Sequence, residues 1–385
     1  MDITLIATAD WDHPFWTNKQ HVACSLADCG HCVLYVESLG LRPPRLEKTD
    51  LHRIFKRLIR GLSPPRQVKE RIWVVSPLLY PAARWTWQQI LNRCLLSLSL
   101  RFWHLCLGMR PELLWTYNPL TLQVVNVSRF QRLVYHCVDD LTAQPCMPSS
   151  QIKTWEELLC RKSDVVFVTS RELERTRGLY NSRTYYFSNV ADDAHFMTAR
   201  GGVLPLPADL AALPEPRLGF VGAISSYKID VALVRQLALH RSDASIVLIG
   251  RVGEGDPFTD LDDLLNLPNV HLLGPRPYAQ LPSYLSGFDV ALIPAPINAY
   301  TRSMFPMKFF EYLSAGVPVV ATELPALADY ASWAQLCGSV PSFIASVDRV
   351  LEQGRTRYAE VVHLPAIFTY RGRTEAMLRI LSKSI

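Results

Sequence analysis

The sequence predicts an α/β protein built from two Rossmann-like domains that face each other across a cleft. Short apolar runs alternate with helical patterns, and this alternation restarts after a proline-rich stretch. The length of 385 residues also suits two domains. Nearly continuous apolar runs, such as Asp164–Thr169, are typical of parallel strands covered on both faces. In such open sheets, ligands bind beyond the carboxyl ends of the strands.

The apolar runs predict twelve strands, at 3–9, 32–38, 72–78, 112–118, 132–138, 164–170, 184–188, 217–223, 245–250, 270–273, 289–293 and 318–322. Prolines and glycines crowd residues 199–216, which therefore read as a linker. We expect a first domain at 1–198 and a second at 217–365. A helix at 366–385 is expected to pack back on the first domain.

Composition and charge exclude two classes of protein. Hydrophobic residues make up 49% and charged residues 19%, which is typical of a globular chain rather than a disordered one. The net charge of +5 is too small to indicate a nucleic-acid binder. The stretch Arg42–Arg71 has ten basic and three acidic residues, so its net charge of +7 exceeds that of the whole chain.

This basic stretch has the pattern of an amphipathic helix. Its apolar residues recur at helical spacing and are Leu51, Ile54, Phe55, Leu58, Ile59 and Leu62. Its basic residues on the other face are Arg53, Lys56, Arg57 and Arg60. A basic amphipathic helix favours binding of residues 42–71 to an anionic membrane surface. The alternative is that the apolar stripe packs on the sheet of the first domain.

Neither the cysteines nor the acidic residues predict a metal site. The nine cysteines show no paired ligand spacing, and Cys29 and Cys32 lack a second pair. An Asp-x-Asp motif at Asp260–Asp262 lies between prolines and glycines and reads as a solvated loop. We therefore expect neither a metal nor another cofactor.

The segment Thr301–Thr322 has the residues that a nucleotide needs. Pro306 suits the first turn of a helix that Thr301 or Ser303 would cap, and the amides of that turn can hold an anionic group. Lys308 and Glu311 share one face, where a cation suits phosphates and a carboxylate accepts hydrogen bonds from ribose hydroxyls. The alternative is an ordinary surface ion pair.

The same segment, from Pro306 to Thr322, resembles the nucleotide-sugar signature of GT-B glycosyltransferases, specifically the retaining family 4. Leu218–Gly222 and Ile246–Gly250 resemble the strands that open that family's second domain, and Ser188–Asp192 resembles the end of its first. Residues 9–21 are similar to bacterial cell-surface-polysaccharide glycosyltransferases of the teichuronic-acid type.

This resemblance implies roles for individual residues. Glu311 matches the family's ribose-binding glutamate, and Lys228 matches its diphosphate-binding lysine, with Gly222 and Lys308 at the same site. The family's other glutamate is replaced by Ser303, and its diphosphate-binding arginine is replaced by Ala223. Candidates for the missing guanidinium are Arg251 and Arg302.

Candidates for the acceptor side lie in the first domain. Asp139 and Asp140 end an apolar strand, where they can bind acceptor hydroxyls or act as a base, or where one of them simply caps residues 141–145. The loop after the first strand borders the reacting sugar in GT-B enzymes, so Asn18, Lys19 and Gln20 are further candidates.

The resemblance implies a retaining glycosyltransferase that moves a sugar from a nucleotide-sugar substrate to a lipid-linked or polysaccharide acceptor. The expected setting is the synthesis of cell-surface polysaccharide or glycolipid, in the cytoplasm and on the inner face of the plasma membrane. Two alternatives remain open. One is a sugar-nucleotide epimerase of GT-B shape, and the other is a non-catalytic GT-B partner subunit.

Overall fold

The computed structural model describes residues 1–13, 16–39, 60–61, 63–80, 86–202, 204–354 and 364–382. Contacts divide the chain into two compact units, one of Met1–Phe187 with Thr374–Ile385 and the other of Ser188–Arg373. The boundary therefore precedes the proline-rich stretch 199–216, which lies within the second unit. Most of the basic stretch 42–71, namely residues 42–59 and 62, lies outside the described residues.

The first unit is built on an eight-stranded sheet. Its strands are β1 (Asp2–Ile6), β2 (Cys32–Val36), β3 (Arg66–Lys69), β4 (Ile72–Val75), β5 (Leu113–Thr116), β6 (Arg132–Cys137), β7 (Val165–Val168) and β8 (Thr184–Tyr186). They lie in the order β3-β4-β2-β1-β5-β6-β7-β8, and every pair except β3–β4 is parallel. All seven strands predicted for this half are present. The edge strand β3 escaped prediction because it is polar and mostly exposed, and so has no apolar run.

Helices connect these strands. They are α1 (Asn18–Asp28), α2 (Thr86–Leu107), α3 (Thr121–Val124), α4 (Ser149–Lys162) and α5 (Arg171–Gly178). The four residues of β7 are all fully buried, as expected for a strand in the interior of a sheet that helices cover on both faces. In the part of the chain described, no helix is long and apolar enough to cross a bilayer.

The second unit is built on a six-stranded parallel sheet. Its strands are β9 (Arg217–Val221), β10 (Ser245–Ile249), β11 (Val270–Leu272), β12 (Val290–Ile293), β13 (Val319–Thr322) and β14 (Gln335–Cys337). Their order is β11-β10-β9-β12-β13-β14. The five strands predicted from apolar runs are confirmed, and only the three-residue edge strand β14 was missed. The predicted α/β class with parallel, helix-covered sheets is thus confirmed.

The helices of the second unit are α6 (Asp193–Met197), α7 (Ala208–Ala211), α8 (Val231–His240), α9 (Asp262–Leu265), α10 (Leu281–Ser286), α11 (Ala299–Ser303), α12 (Lys308–Ser314) and α13 (Val340–Gln353). The last helix, α14 (Tyr370–Ser382), runs from this unit into the terminal part of the first. In the first unit, the Arg132 guanidinium donates to the Leu381 carbonyl at 2.8 Å.

Candidate functional site

Two glycines shape the carboxyl ends of the neighbouring strands β9 and β10. Gly222 has a φ of 149° and Gly250 a φ of 155°, which side chains rarely adopt. A Cβ on Gly250 would lie 1.8 Å from the Gly222 carbonyl oxygen, and a Cβ on Gly222 would lie 2.9 Å from the Lys308 Nζ. Because Gly222 has no side chain, the Lys308 ammonium can lie directly against the backbone at the end of β9, and the missing side chain of Gly250 lets β10 approach the Gly222 carbonyl.

Lys308 begins the short helix α12, and its side chain is partly buried. Its Nζ lies 4.7 Å from the centroid of the Phe220 ring, which is the range of a cation–π contact. Burial, together with the positive charge of Lys228, lowers the pKa of Lys308 to about 8, against the opposing effect of Glu311. A lysine in this state gains strongly from an anionic ligand, because the ligand would replace lost solvation.

Glu311 lies one helical turn after Lys308, as the spacing in the sequence predicted. Burial and the nearby charge of Asp192 raise the pKa of Glu311 to about 7, although the charge of Lys308 opposes this shift. A cation and an acceptor oxygen are therefore held together on one face of α12. Perturbed pKa values of this kind are common at functional sites.

The helix around Pro306 is broken, and its capping differs from the sequence prediction. Neither Thr301 nor Ser303 caps α12, because Thr301 and Ser303 both belong to the preceding helix α11. Asn298 caps α11 by accepting a hydrogen bond from the Thr301 amide, and the Ser303 hydroxyl donates to the Tyr300 carbonyl at 3.1 Å. The chain becomes extended at Met304, two residues before Pro306, and α12 begins only at Lys308.

The remaining predicted donor residues are placed differently. Lys228 is close enough to Lys308 to lower its pKa, and its Nζ lies 5.3 Å from the centroid of the Tyr227 ring. Arg251 has an exposed side chain, and its carbonyl accepts a hydrogen bond from the Ile224 amide at 3.0 Å. The structure therefore brings Gly222, Lys228, Lys308 and Glu311 together, whereas the backbone of Arg251 is bonded to Ile224.

Asp192 and Asn189, near the start of α12, were not among the predicted site residues. The charges of Glu311 and Asp192, together with burial as the main cause, raise the pKa of Tyr278. Asn189 donates a hydrogen bond of 2.6 Å to the Phe305 carbonyl and so holds the residue before Pro306. Both residues lie in the segment 188–192, and its resemblance to the end of the family's first domain is the sequence feature that could have identified them.

In the first unit, Asp140 caps the turn that follows β6. One carboxylate oxygen of Asp140 accepts hydrogen bonds from the Thr142 amide at 3.0 Å and from the Thr142 hydroxyl at 2.5 Å. The same oxygen lies 3.4 Å from an Arg177 nitrogen. Asp139 lies beside it and is partly buried. The capping role left open by the sequence is present, and a catalytic role stays a prediction.

A buried ion pair lies behind this turn and had no sequence signal. Arg177 donates to Glu156 at 2.8 Å, and the Tyr135 hydroxyl donates to the same carboxylate at 2.6 Å. All three side chains are buried. Arg177 also approaches Asp140. The ion pair between Arg177 and Glu156 therefore helps to fix the position of the Asp140 carboxylate. Buried charges of this kind need such complete pairing.

The predicted acceptor-side residues open α1. Gln20 completes a capping box with Thr17, whose amide donates to the Gln20 side-chain oxygen at 3.1 Å. Gln20 also donates to the Asp10 carbonyl at 3.0 Å, so its side chain holds the loop after β1. Asn18 is buried, and the Lys19 Nζ lies 5.7 Å from the centroid of the Tyr117 ring.

No metal centre is seen among the residues that the structure describes, since nowhere do three or more His, Cys, Asp or Glu side chains gather closely enough to hold an ion. Cys29 and Cys32 are not joined in a disulfide bond. The arrangement of Lys228, Lys308 and Glu311 offers cations and a carboxylate acceptor, which suit a polyanion with neighbouring hydroxyl groups.

Comparison with known proteins gives a partial match to one family and a fold. Residues 215–353 match the family model described as Glycosyl transferases group 1. A protein of Bacillus subtilis (strain 168) that carries the name putative teichuronic acid biosynthesis glycosyltransferase TuaH is 34% identical over 150 residues. That match covers 37% of this chain and 37% of TuaH, so it spans well under half of either protein.

Two solved structures match along nearly the whole chain. Sucrose-phosphate synthase from Thermosynechococcus elongatus superimposes with a TM-score of 0.69 at 16% identity, over 99% of this chain and 98% of that one. HepE of Anabaena in complex with UDP-glucose superimposes with a TM-score of 0.59 at 12% identity, over 100% and 98% of the two chains. At these identities the likeness shows the fold, and the predicted GT-B fold is confirmed.

Proposed function

We propose that this chain, a group 1 glycosyltransferase by the sequence of its second unit and by its GT-B fold, transfers a sugar from a nucleoside diphosphate sugar. The observation that carries the proposal is the pairing of Lys308 and Glu311 one turn apart at the start of α12, with the Gly222 backbone against the lysine. The acceptor is a lipid-linked or polysaccharide sugar, and the link to TuaH favours teichuronic-acid-type cell-surface polymers.

In this proposal the second unit binds the donor. Lys308 and Lys228 neutralise the diphosphate, and Glu311 accepts hydrogen bonds from the ribose hydroxyls. During transfer, negative charge accumulates on the departing diphosphate, and the two fixed ammonium groups stabilise it there. The family that this segment resembles has a carboxylate at the position of Ser303. The Ser303 hydroxyl donates to the Tyr300 carbonyl, so it does not take over the role of that carboxylate. The exposed side chain of Arg251 is proposed to supply the missing guanidinium that binds the diphosphate.

The stereochemical course and the cellular place are proposed from the resemblance alone. We propose retention at the anomeric carbon, and action at the inner face of the plasma membrane. Residues 42–71 are proposed to bind anionic lipid through their basic residues, although this stretch lies mostly outside the described residues.

A thermal-shift screen of nucleoside diphosphate sugars tests the donor class. Because HepE was solved with UDP-glucose, uridine donors are the first to test, beside matched adenosine and guanosine donors. A donor at 100 times its Kd stabilises the folded protein by about 2.7 kcal/mol, which raises Tm measurably. We expect one base to stabilise the protein and the corresponding free sugar to have no effect. Failure of every nucleotide sugar to raise Tm would remove the donor proposal.

Asp140, and with less weight Asp139, is proposed to act on the acceptor hydroxyl. We expect Asp140→Asn to keep the cap, since an amide oxygen also accepts from Thr142, and to slow transfer more than tenfold without weakening donor binding. Asp140→Ala loses the cap as well and is expected to lower the free energy of unfolding by about 1 kcal/mol.

Asp139→Asn tests the neighbouring carboxylate in the same way, and both the transfer rate and the free energy of unfolding are measured for each variant. If Asp140→Asn transfers sugar at the rate of the wild type, Asp140 is a cap only. Asn18, Lys19 and Gln20 stay proposed acceptor-side residues, with Gln20 acting mainly through the loop that it holds.

A further inference from the structure

The helix α2, which the proposed donor chemistry does not use, is attached to the first unit along one side only. Leu96 and Leu100 are buried in the core of that unit. Asn92 accepts a hydrogen bond from the Tyr80 amide at 2.6 Å and donates one to the Tyr80 carbonyl at 3.0 Å. His104 is hydrogen-bonded to the Thr4 hydroxyl of β1 at 2.8 Å. This side of the 22-residue helix is therefore firmly fixed.

The opposite side of α2 is apolar and exposed. The α2 apolar face consists of Trp87, Ile90, Leu91, Leu98, Phe102 and Leu105, with exposed fractions between 38% and 74%. The residues from Leu91 to Leu105 are spaced by seven, four and three positions, so they lie on one side of the helix. Clusters of large exposed apolar side chains mark sites of interaction, whereas single ones need no explanation.

The charged residues of α2 all have one sign. The helix contains no aspartate or glutamate, and its two arginines, Arg93 and Arg101, are exposed. Arg129, on the segment that follows α3, is also exposed. Neither Arg101 nor Arg129 forms an ion pair with any carboxylate that the structure describes. The surface is therefore complementary to a negatively charged apolar partner.

A cavity joins these arginines to the apolar face. Its volume is about 360 Å³, and Arg101, Leu105 and Arg129 are among the side chains that line it. Its walls include Phe130, and apolar atoms predominate. A pocket lined by two arginines and mainly by apolar atoms fits a phosphate attached to a hydrocarbon chain, since guanidinium binds phosphate well.

We propose that the α2 apolar face and this cavity dock the first unit on an anionic phospholipid membrane, with a lipid phosphate between Arg101 and Arg129. A phospholipid surface supplies both the negative charge and the apolar interior that the surface matches. A second copy of the chain fits less well, because α2 would bring arginines to the contact without any carboxylate from its counterpart. The helix lies along the membrane surface rather than across it.

Sedimentation of the full chain with vesicles tests this docking. Vesicles of phosphatidylcholine with one quarter phosphatidylglycerol are compared with vesicles of phosphatidylcholine alone. We expect the wild type to bind the anionic vesicles and to be released by high salt. The triple variant Leu98→Ser, Phe102→Ser, Leu105→Ser and the double variant Arg101→Gln, Arg129→Gln are each expected to lower the vesicle-bound fraction about tenfold.

Matched controls separate this surface from others. Leu179→Ser removes a leucine that is as exposed as Leu105, and Arg235→Gln removes an exposed arginine of the second unit. Both controls are expected to bind vesicles like the wild type. All variants are checked for unchanged circular dichroism and Tm, and substitutions at exposed positions should preserve both.

Three results would overturn the docking. Equal binding to both kinds of vesicle would exclude recognition of anionic lipid. Undiminished binding by the triple variant would place the contact elsewhere, such as in residues 42–71. A dimer in light scattering that the triple variant loses, without vesicle binding by the wild type, would assign the face to a second copy. Donor binding in solution is measured in parallel and does not depend on any of these results.

Discussion

Replacing Glu311 with alanine is expected to abolish measurable binding of both the nucleoside and the nucleoside diphosphate sugar. Glutamine keeps an acceptor oxygen but loses the charge, so it is expected to weaken this binding without abolishing it. Glu311 is the proposed acceptor for two ribose hydroxyls, and hydrogen bonds to a charged group contribute about 1.5–3 kcal/mol each. Loss of both weakens binding on the order of 100-fold or more. Isothermal titration with the donor found by the thermal-shift screen measures the effect.

The Glu311→Gln substitution is also expected to stabilise the protein. Burial raises the pKa of Glu311 to about 7, so the folded state favours the protonated form. That contribution to stability is complete below the ordinary pKa of 4.5 and is lost as the pH rises through about 7. Above that pH the neutral amide of the variant removes the buried charge, and we expect a gain on the order of 1 kcal/mol.

Glu323→Gln is the matched control, because Glu323 is exposed in the same unit. It is expected to leave both donor affinity and stability unchanged. A Glu311→Gln variant that is stabilised yet binds the donor normally would show that the Glu311 carboxylate does not contact the nucleotide. This result would contradict its proposed role.

Replacing Lys308 with methionine is expected to weaken the nucleoside diphosphate far more than the nucleoside. The Lys308 ammonium lies against the Gly222 backbone, where the proposal places the diphosphate. Lys228→Met should show the same selectivity with a smaller loss, since Lys228 lies near two aromatic rings and is proposed to bind from the side. Lys162→Met, at an exposed lysine of the first unit, is the control. Equal losses for the two ligands would contradict the phosphate role.

The pH dependence of donor affinity gives a second test of the same pair. Lys308 binds phosphate in its charged form, and its pKa is lowered to about 8, so affinity should fall as the pH rises above about 8. Glu311 accepts from hydroxyls best when it is ionised, and its pKa is raised to about 7, so affinity should also fall as the pH drops below about 7. Lys308→Met should remove the alkaline fall, and Glu311→Gln should remove the acidic one.

The fold was predictable from the sequence because buried parallel strands leave apolar runs that helical segments separate. The prediction missed β3 and β14, which lie at sheet edges; β3 is exposed and polar, and β14 has only three residues. It also predicted that Thr301 or Ser303 would cap the helix of Lys308 and Glu311, whereas both lie in the preceding helix α11, because the sequence does not show that the chain becomes extended before Pro306. Edge strands and helix breaks depend on tertiary packing, which the periodicity of apolar residues in the sequence does not show.

The candidate site was predictable in part. The spacing of Lys308 and Glu311 placed both on one helix face, and the resemblance to the family pointed to Gly222 and Lys228. The approach of Lys308 to the Gly222 backbone was not predictable, since it depends on the turn at the end of β9. The buried ion pair between Arg177 and Glu156 joins the helices α5 and α4, which are separate in sequence. No local sequence pattern predicts it.

The most direct test of the central claim follows a nucleoside diphosphate sugar through the reaction by nuclear magnetic resonance, first with the wild type and then with Glu311→Ala. We predict that the wild type releases nucleoside diphosphate and free sugar slowly without acceptor, and faster with a saccharide acceptor, and that the variant releases neither. Recovery of the nucleotide sugar unchanged, although the wild type binds it, would indicate a non-catalytic subunit. Conversion to an epimer with the diphosphate still attached would contradict the transferase assignment.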